Sequence, residues 1–582
     1  MKCNIVFKMY VLVIFLSLTS VVFGQHIADI TFDIKRVPFS RYGSYMAVST
    51  REGALNLLDL TGREIWENRK AFRIEAIAAN KVIPMSYVAT PVELTGTTEN
   101  GKIKFYFESQ RIIHILGSGQ EIRLTGNFGS GNLYAMPGHT NSWVIRDKSI
   151  VISAKKGNIR FQENEKESTL MLEKDINGEF DIVIEQSFAE PIRSEYTESY
   201  KKSLSKVRKE IQQWYSKMPS VPNQYEEAAK LAAYINWSCV YEPRGNIKRY
   251  GMAMSKTGMP YIWSWDHCFN ALSLSYHKNS LSWDQYMVIF DNQDPKTGAL
   301  PDLISSQNSA WACKKPPIHG WILSELLKQY KLNDVQLKGI YEQLSMWTEY
   351  WFRGRDEDGN GLPQYNNGYD SGWDNGTAFD KVSPVEGADL AAFLVLQMEE
   401  LSRLAEKLNK PEDAVYWKEK ANSTLDKMIK NLWDGEKFIT RNVKTFETNK
   451  ESKSLMSYLP ILLGKRLPEN IRTKMINDLK QKDYLITDFG PATESPSSKL
   501  YEDDGYWRGP IWAPTTLILI EGLNRCGEEQ LAKEIARKFC DMCNKSGFAE
   551  NFDSLTGAPL RDPAYTWTTS VFMVLANEYV NK

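Results

Sequence analysis

Three segments concentrate the side chains that can do chemistry. Tyr261 to Asn270 (YIWSWDHCFN) is the first and Tyr365 to Asp380 (YNNGYDSGWDNGTAFD) the second. The third is in two pieces, Tyr501 to Trp512 (YEDDGYWRGPIW) and Gly547 to Gly557 (GFAENFDSLTG). All are dense in tryptophan, carboxylate and glycine, and loops on a rigid scaffold carry function disproportionately. Of the 17 tryptophans, 13 follow residue 250. Clustered indoles are often core, yet they are also flat faces on which sugar rings stack. Cleaving a glycosidic bond takes two carboxyl groups, one to protonate the leaving oxygen and one to activate water or attack. Asp374 lies between Trp373 and Asn375, and an aromatic neighbour raises a carboxyl pKa, which suits a general acid. Glu550 follows the Gly547-Phe548-Ala549 bend and can face a pocket as the base. The plainer alternative is that each caps a helix or meets solvent. The two are 176 residues apart, so only the fold can bring them together.

Other chemistries find less support. Asp356 to Gly361 (DEDGNG) matches the opening of a calcium loop, but Asn367 stands where an EF-hand needs Glu. Asp356, Asp358 and Asn360 with the Leu362 carbonyl can hold Ca2+ if a distant acid completes the shell; otherwise the segment is an Asp/Asn/Gly turn. His267 could meet a sugar hydroxyl or be structural, and His319 reads as a helix start. Cys540 and Cys543 have redox or zinc spacing, but they fall in a helical repeat with no second pair, and we read them as one helix face. There is no HExxH zinc motif, no GxSxG elbow and no GxxxxGK[ST] phosphate loop. No organic cofactor is expected. The net charge of −1 argues against a nucleic-acid partner, which needs a Lys/Arg excess.

These residues must be positioned by something. Residues 1–24 read as a signal peptide: Lys2 and Lys8 precede an apolar run, and Val22-Phe23-Gly24 is a small-x-small cleavage site. An exported protein, periplasmic or extracellular, is expected, with no membrane span in the mature chain. Residues 25–194 alternate in the manner of strands, as in Lys102 to Glu108 (KIKFYFE) and Asp181 to Glu185 (DIVIE), with Asn/Gly turns between, which predicts a β-sandwich. Residues 195–222 read as a helical linker. From 223 to 582 the apolar period is near 3.6, with about twelve helices. They are expected near 225–240, 265–278, 282–291, 316–330, 336–353, 386–408, 411–431, 452–463, 468–480, 507–525, 528–546 and 564–580. The fold class is therefore mainly α: an (α/α)6 barrel preceded by an all-β sandwich.

Trp265-Asp266, Ser371-Gly372-Trp373-Asp374, Tyr506 to Trp512 and Glu550-Asn551-Phe552-Asp553 occur in this order. Together they resemble the glycoside hydrolase clan of family 63 α-glucosidases, family 37 trehalases and bacterial mannosylglycerate hydrolases. The resemblance covers roughly residues 225–580 and is nearest to family 63. It implies an (α/α)6 barrel, an inverting mechanism, Asp374 as general acid and Glu550 as general base. It also implies that Trp265, Asp266, Trp507 and Arg508 line the glycone subsite, where Trp373 and Trp567 are expected to join them. Family 63 members bind calcium near a loop like Asp356–Gly361, and Glu386 is the candidate distant acid. Two departures stand out. The arginine-bearing signatures of family 37 are missing, and the stretch after Asp374 is too short for the subdomain that family 63 members insert.

The expected activity is thus hydrolysis of an α-linked, α-glucosidic saccharide or glycoside by an exo-acting inverting enzyme. A sugar epimerase or isomerase on the same barrel, or a catalytically dead carbohydrate-binding protein, are the alternatives. Few histidines in the motif loops count against the first, and the presence of both carboxyls against the second. Linkage, aglycone and oligomeric state are not legible.

Overall fold

A computed structural model describes residues 26–581 except 52, 63–68, 127, 129–130, 164–167, 192 and 279. The leader-like residues 1–24 lie outside the described residues. Strands run from Phe39 to Gln186 and form two antiparallel eight-stranded sheets packed face to face. Their shared core holds Phe105, Ile113, Ile115, Leu124, Leu170, Leu172, Ile182 and Ile184. The alternation of DIVIE is real. Ile182 and Ile184 point into the sandwich, while Val183 packs on the other face with Ile112 and Tyr196. That outer face is covered, which is why this strand reads as almost continuously apolar.

Helix α1 (Tyr200–Tyr215) follows, capped by Ser199, whose side chain accepts from the Lys202 N–H. Its buried stripe Ser203, Val207, Ile211 and Trp214 recurs at helical spacing. The stripe joins sandwich to barrel: the Trp214 indole donates to the Ala233 carbonyl at 2.9 Å, and Glu210 pairs with buried Arg41 at 2.7 Å.

The remaining helices are α2 (Glu226–Ser238), α3 (Asp266–Leu274), α4 (Leu281–Met287), α5 (His319–Leu326), α6 (Asp334–Gly354), the single turn α7 (Gly368–Ser371), α8 (Ala388–Lys407), α9 (Pro411–Leu432), α10 (Glu469–Leu479), α11 (Ala513–Arg525), α12 (Glu529–Ser546) and α13 (Thr566–Leu575). A 3-10 winding spans Leu455–Arg466. Contacts close an inner ring in the order α3, α5, α8, the 3-10 winding, α11, α13 and back to α3. Outside it, α2 packs on α13, α4 on α3, α6 and α9 on α8, α10 on the winding and α12 on α11. Inner helices are buried all round, as α13 is from Thr566 to Leu575, whereas outer ones such as α12 bury one stripe.

Two expected helices are corrected. The 452–463 segment is 3-10, because Pro460 has no N–H to give and Gly464 turns to φ 56°. The 507–525 helix begins only at Ala513. Residues 507–512 are loop, in which Gly509 takes φ 156° and Pro510 cannot donate. The second exception matters for function, since that loop carries the Trp507 motif. Among the described residues no helix is long and apolar enough to cross a membrane.

Candidate active site

The motif segments meet at one end of the barrel, where inner helices begin. Asp266 opens α3; Lys314 and Lys315 precede α5; Asp374 and Glu386 precede α8; Tyr506 to Trp512 precede α11; Glu550 precedes α13. Helix N-termini carry partial positive charge and favour carboxylates placed against them.

Asp374 is aimed by its neighbours. The turn before it ends at Gly372 in the left-handed region, φ 73°. A Cβ there would lie 2.6 Å from Cζ2 of Trp265, so the indole and the glycine specify each other. Buried Asp370 anchors the turn, accepting from Arg355 at 2.8 Å, the Lys314 N–H at 2.8 Å and the Asn366 N–H at 2.9 Å. On the far side, Asn375 donates to the Gly505 carbonyl at 3.0 Å and accepts from the Trp507 N–H at 3.0 Å. Burial raises the Asp374 carboxyl above its ordinary range, opposed by Lys315, whose Nζ is 3.7 Å from Oδ1. Lys315 is itself buried, 3.6 Å from Asp302 Oδ1, and donates to the Tyr369 carbonyl at 2.9 Å.

Glu550 is fixed from three directions. Its N–H donates to the Asp562 carbonyl at 2.7 Å, its carbonyl accepts the Trp567 indole N–H at 3.2 Å, and Oε1 accepts the Tyr506 hydroxyl at 3.0 Å. Burial, with the Asp562 charge, pushes its pKa up to about 7. The Asp562 carboxylate accepts from Ser255 Oγ at 2.6 Å and the Gly258 N–H at 2.7 Å, so it ties the Glu550 segment to the loop ahead of α3. Asp374 acts electrostatically on both Glu550 and Tyr506, and Tyr506 senses Asp266 as well. The three carboxyls therefore lie within electrostatic reach of one another. Asp266 is pushed highest, to about 8, chiefly by burial, with Lys315 opposing and Asp302 and Asp374 adding.

Trp265, Trp373, Trp507, Trp512 and Trp567 lie in one cluster. Trp507 stacks on Trp512 with centroids 3.9 Å apart, and lies 5.0 Å from Trp373 and 6.3 Å from Trp265. Trp567 meets Trp265 and Trp512 edge-on at 6.1 and 5.4 Å. Arg508 stands differently. Its guanidinium makes a two-point pair with Asp380 at 3.0 and 2.8 Å, lies 3.2 Å from Glu502, and donates to the Asn375 carbonyl at 3.3 Å. In this structure it braces the loop that presents Asp374.

His267 is not a sugar contact. Both ring nitrogens face backbone carbonyls, Trp263 at 3.0 Å and Tyr286 at 3.2 Å, and the ring is fully buried. Cys540 and Cys543 are free, buried and on one helix, and all six cysteines of the described chain are free.

The Asp356 loop gathers around Asn360. Its amide donates to Asp358 at 2.8 Å and to Glu386, and its oxygen accepts the Leu362 N–H at 2.7 Å. The short strand Val385–Gly387, paired with Gln364–Tyr365, delivers Glu386 there. One Asp356 oxygen accepts the Gly361 N–H at 3.0 Å, and the other is buried without a partner. Arg441 already holds Glu386 at 2.6 Å. The carboxylates and the orphaned Asp356 oxygen are donors of the kind a hard cation takes, but the Asn360 amide nitrogen rather than its oxygen faces Asp358 and Glu386.

The residues that sequence reasoning passed over are Lys315, Asp302, Tyr506 and Asp562. Tyr506 lay inside a quoted motif. The Lys314-Lys315-Pro316-Pro317 doublet ahead of a helix was the available signal for Lys315, but nothing in it announces a buried lysine.

The chain matches the model of the mannosylglycerate hydrolase MGH1-like glycoside hydrolase domain over residues 259–568, more than half its length. It belongs to this glycoside hydrolase family. The match encloses every motif segment described above. A mannosylglycerate hydrolase of Rubrobacter radiotolerans is 22% identical over 437 residues, 59% of this chain and 95% of that protein. The mannosylglycerate hydrolase MGH1 of Selaginella moellendorffii is 21% identical over 54% of this chain and 79% of its own. Among solved structures, the GH63 mannosylglycerate hydrolase of Thermus thermophilus in complex with glucose aligns with TM-score 0.52 and 18% identity, covering 60% of this chain and 99% of that one. A bacterial glucoamylase complexed with acarbose aligns with TM-score 0.60 and 13% identity over 95% of this chain and 94% of its own, so the likeness in fold takes in the sandwich as well as the barrel. The chain is thus a glycoside hydrolase of the (α/α)6-barrel kind.

Proposed function

We propose that this glycoside hydrolase is an exported, inverting exo-enzyme that cleaves a small α-linked glucoside or mannoside. Asp374 is its general acid and Glu550 its general base. The observation that carries this reading is the pairing of a half-buried carboxyl, Asp374, with a buried one, Glu550, each separately anchored beside a cluster of tryptophans. Glu550 is oriented through Tyr506 and Asp374 is held by Lys315. Asp374 gives its proton to the glycosidic oxygen as the C–O bond breaks. Glu550 takes a proton from the water that attacks the opposite face of the anomeric carbon. Trp265, Trp373, Trp507 and Trp567 form the wall on which the glycone packs. Export rests on the leader-like first residues.

Lys315 points to the other half of the substrate. In the free site it opposes protonation of Asp374, which a general acid must have. An aglycone carboxylate would take Lys315 as its counterion and add a negative charge nearby, and both changes favour the proton on Asp374. Relatives named mannosylglycerate or glucosylglycerate hydrolase make such anionic aglycones the first to test. Exposed Trp311 and Tyr369 stand near Lys314 and Lys315 and offer apolar surface at this rim. Release of free sugar from α-glucosyl- and α-mannosylglycerate, beside neutral α-disaccharides, is the test. No release from any of them contradicts the reading.

Asp266 is assigned to sugar hydroxyls; burial pushes its carboxyl up to about 8 in the free site, and Lys315 opposes that shift. Above pH 8, where the Asp266 carboxyl is ionised, Asp266→Asn should leave the fold intact and lower kcat/KM by ~10²–10⁴-fold, because a carboxylate makes stronger charge-assisted bonds than an amide. Circular dichroism with initial rates checks both parts, and an unchanged kcat/KM would remove Asp266 from the subsite.

Asp356, Asp358, Asn360, the Leu362 carbonyl and Glu386 are proposed to hold Ca2+ as a structural ion. Calcium at a hundred times its Kd adds ~2.7 kcal/mol to stability. The melting temperature should therefore rise with added Ca2+ and fall with EGTA by a few degrees. Identical melts in the two conditions would leave the loop as a hydrogen-bonded turn.

A further inference from the structure

One residue beyond Asp266, the inner wall of the barrel carries a second cluster. His267 and Cys268 lie in the first turn of α3, and His319 is the first residue of α5, which packs against it. All three are fully buried, and one ligand atom from each lies within 4.8 Å of the others. Two features are unsatisfied. His267 is fully buried, and a neutral imidazole carries a single N–H. It nevertheless faces two carbonyls, and a neutral imidazole can donate to only one. With the proton on Nδ1, bonded to the Trp263 carbonyl at 3.0 Å, the Nε2 lone pair points at the Tyr286 carbonyl oxygen, 3.2 Å away. The same Nε2 is 3.7 Å from Cys268 Sγ. His319 is the second: both of its ring nitrogens are buried without a hydrogen-bond partner, inside a cage of His267, Tyr286, Phe290 and Trp347. The Ser264 backbone approaches both rings as a weak acceptor, short of a well-formed hydrogen bond to His319.

We propose that His267 Nε2, Cys268 Sγ and one nitrogen of His319 form a structural Zn2+ site that pins α3 to α5. A cation there turns the opposed Nε2 lone pair and Tyr286 carbonyl into two attractive contacts, and gives His319 its missing partner. Tetrahedral zinc, with Zn–N ~2.0–2.1 Å and Zn–S ~2.3 Å, sets ligand nitrogen and sulfur roughly 3.5 Å apart, close to the separation found. Donation of Nδ1–H to a backbone carbonyl is the outer contact that orients a metal-bound imidazole. The Tyr286 carbonyl is positioned as a fourth donor. Binding converts the Cys268 thiol to thiolate, its proton passing to solvent, and forms the Zn–S bond. Two imidazoles and a thiolate select a borderline-soft ion over Ca2+.

The test uses the full chain folded with equimolar Zn2+ or Co2+ and then gel-filtered. About one ion per chain is expected by mass spectrometry, and the Co2+ form should show thiolate-to-metal charge transfer with tetrahedral d–d bands. Cys268→Ala should lose the metal and the band. Cys543→Ala, at a buried thiol on α12, should keep both. If Cys268→Ala does not fold, the wild-type Co2+ spectrum decides alone. Metal content far below one per chain, a Co2+ spectrum without a thiolate band, or an unchanged content in folded Cys268→Ala would overturn the site.

Discussion

Glu550→Gln is expected to reduce hydrolysis by at least ~10³–10⁴-fold on every substrate the wild type cleaves, glycosyl fluorides included. The amide keeps the shape of the side chain and still accepts from the Tyr506 hydroxyl, so binding should survive. What it lacks is a group that takes the proton from the attacking water. The free enzyme supplies a matching pH signature. Burial puts Glu550 at about 7, and a base works only when ionised. The rate therefore falls as pH drops through that range, and the acid limb of kcat/KM should lie near pH 7. Initial rates across pH for both proteins check this. Near-wild-type turnover by Glu550→Gln would remove the base assignment. A wild-type limb centred near the ordinary glutamate value would mean that the pocket does not desolvate this group.

Asp374→Asn is expected to split substrates by leaving group. Natural glycosides leave as alkoxides and need the proton, so their kcat/KM should fall ~10²–10⁴-fold. A glycosyl fluoride leaves without protonation and should keep substantial turnover, because the pocket and Glu550 are untouched. Small anions such as azide should not restore turnover by yielding a glycosyl azide, since an inverting route passes through no glycosyl-enzyme for azide to attack. An equal loss on both substrate classes would point to a collapsed loop instead. That loop hangs on Asp370, Asn375 and Arg508, and the melting temperature separates the two outcomes.

How much of this was legible in the sequence depends on which interaction carries each feature. The helices follow from burial, and burial leaves a period. The stripe at Val207, Ile211 and Trp214, or at Ala532, Ile535 and Phe539, could be read before any coordinates. The two helix errors came where a local rule overrides the period, at Pro460 and at Gly509-Pro510. The carboxyls, indoles and glycines of the pocket could be found because short motifs bundle them. Gly372 beside Trp373 is there because the Trp265 indole fills the space a Cβ would need. Lys315, Asp302 and Asp562 left no comparable trace. Each matters through a partner far away in sequence: Asp374 for the first two, and Ser255, Gly258 and Glu550 for the third. No spacing rule links such pairs. Histidine was underrated for the same reason, as His267 and His319 approach only because α3 and α5 are neighbours in the ring.

The most direct test of the central claim is the anomer first released. Proton NMR should follow hydrolysis of an α-linked substrate, α-mannosylglycerate or α-glucosylglycerate first, faster than mutarotation equilibrates the product. Asp374 as acid and Glu550 as water-activating base, with carboxyls ~6.5–9.5 Å apart, predict that the β-anomer of the free sugar appears first. Initial appearance of the α-anomer would mean retention through a glycosyl-enzyme and would contradict the assignment of both residues.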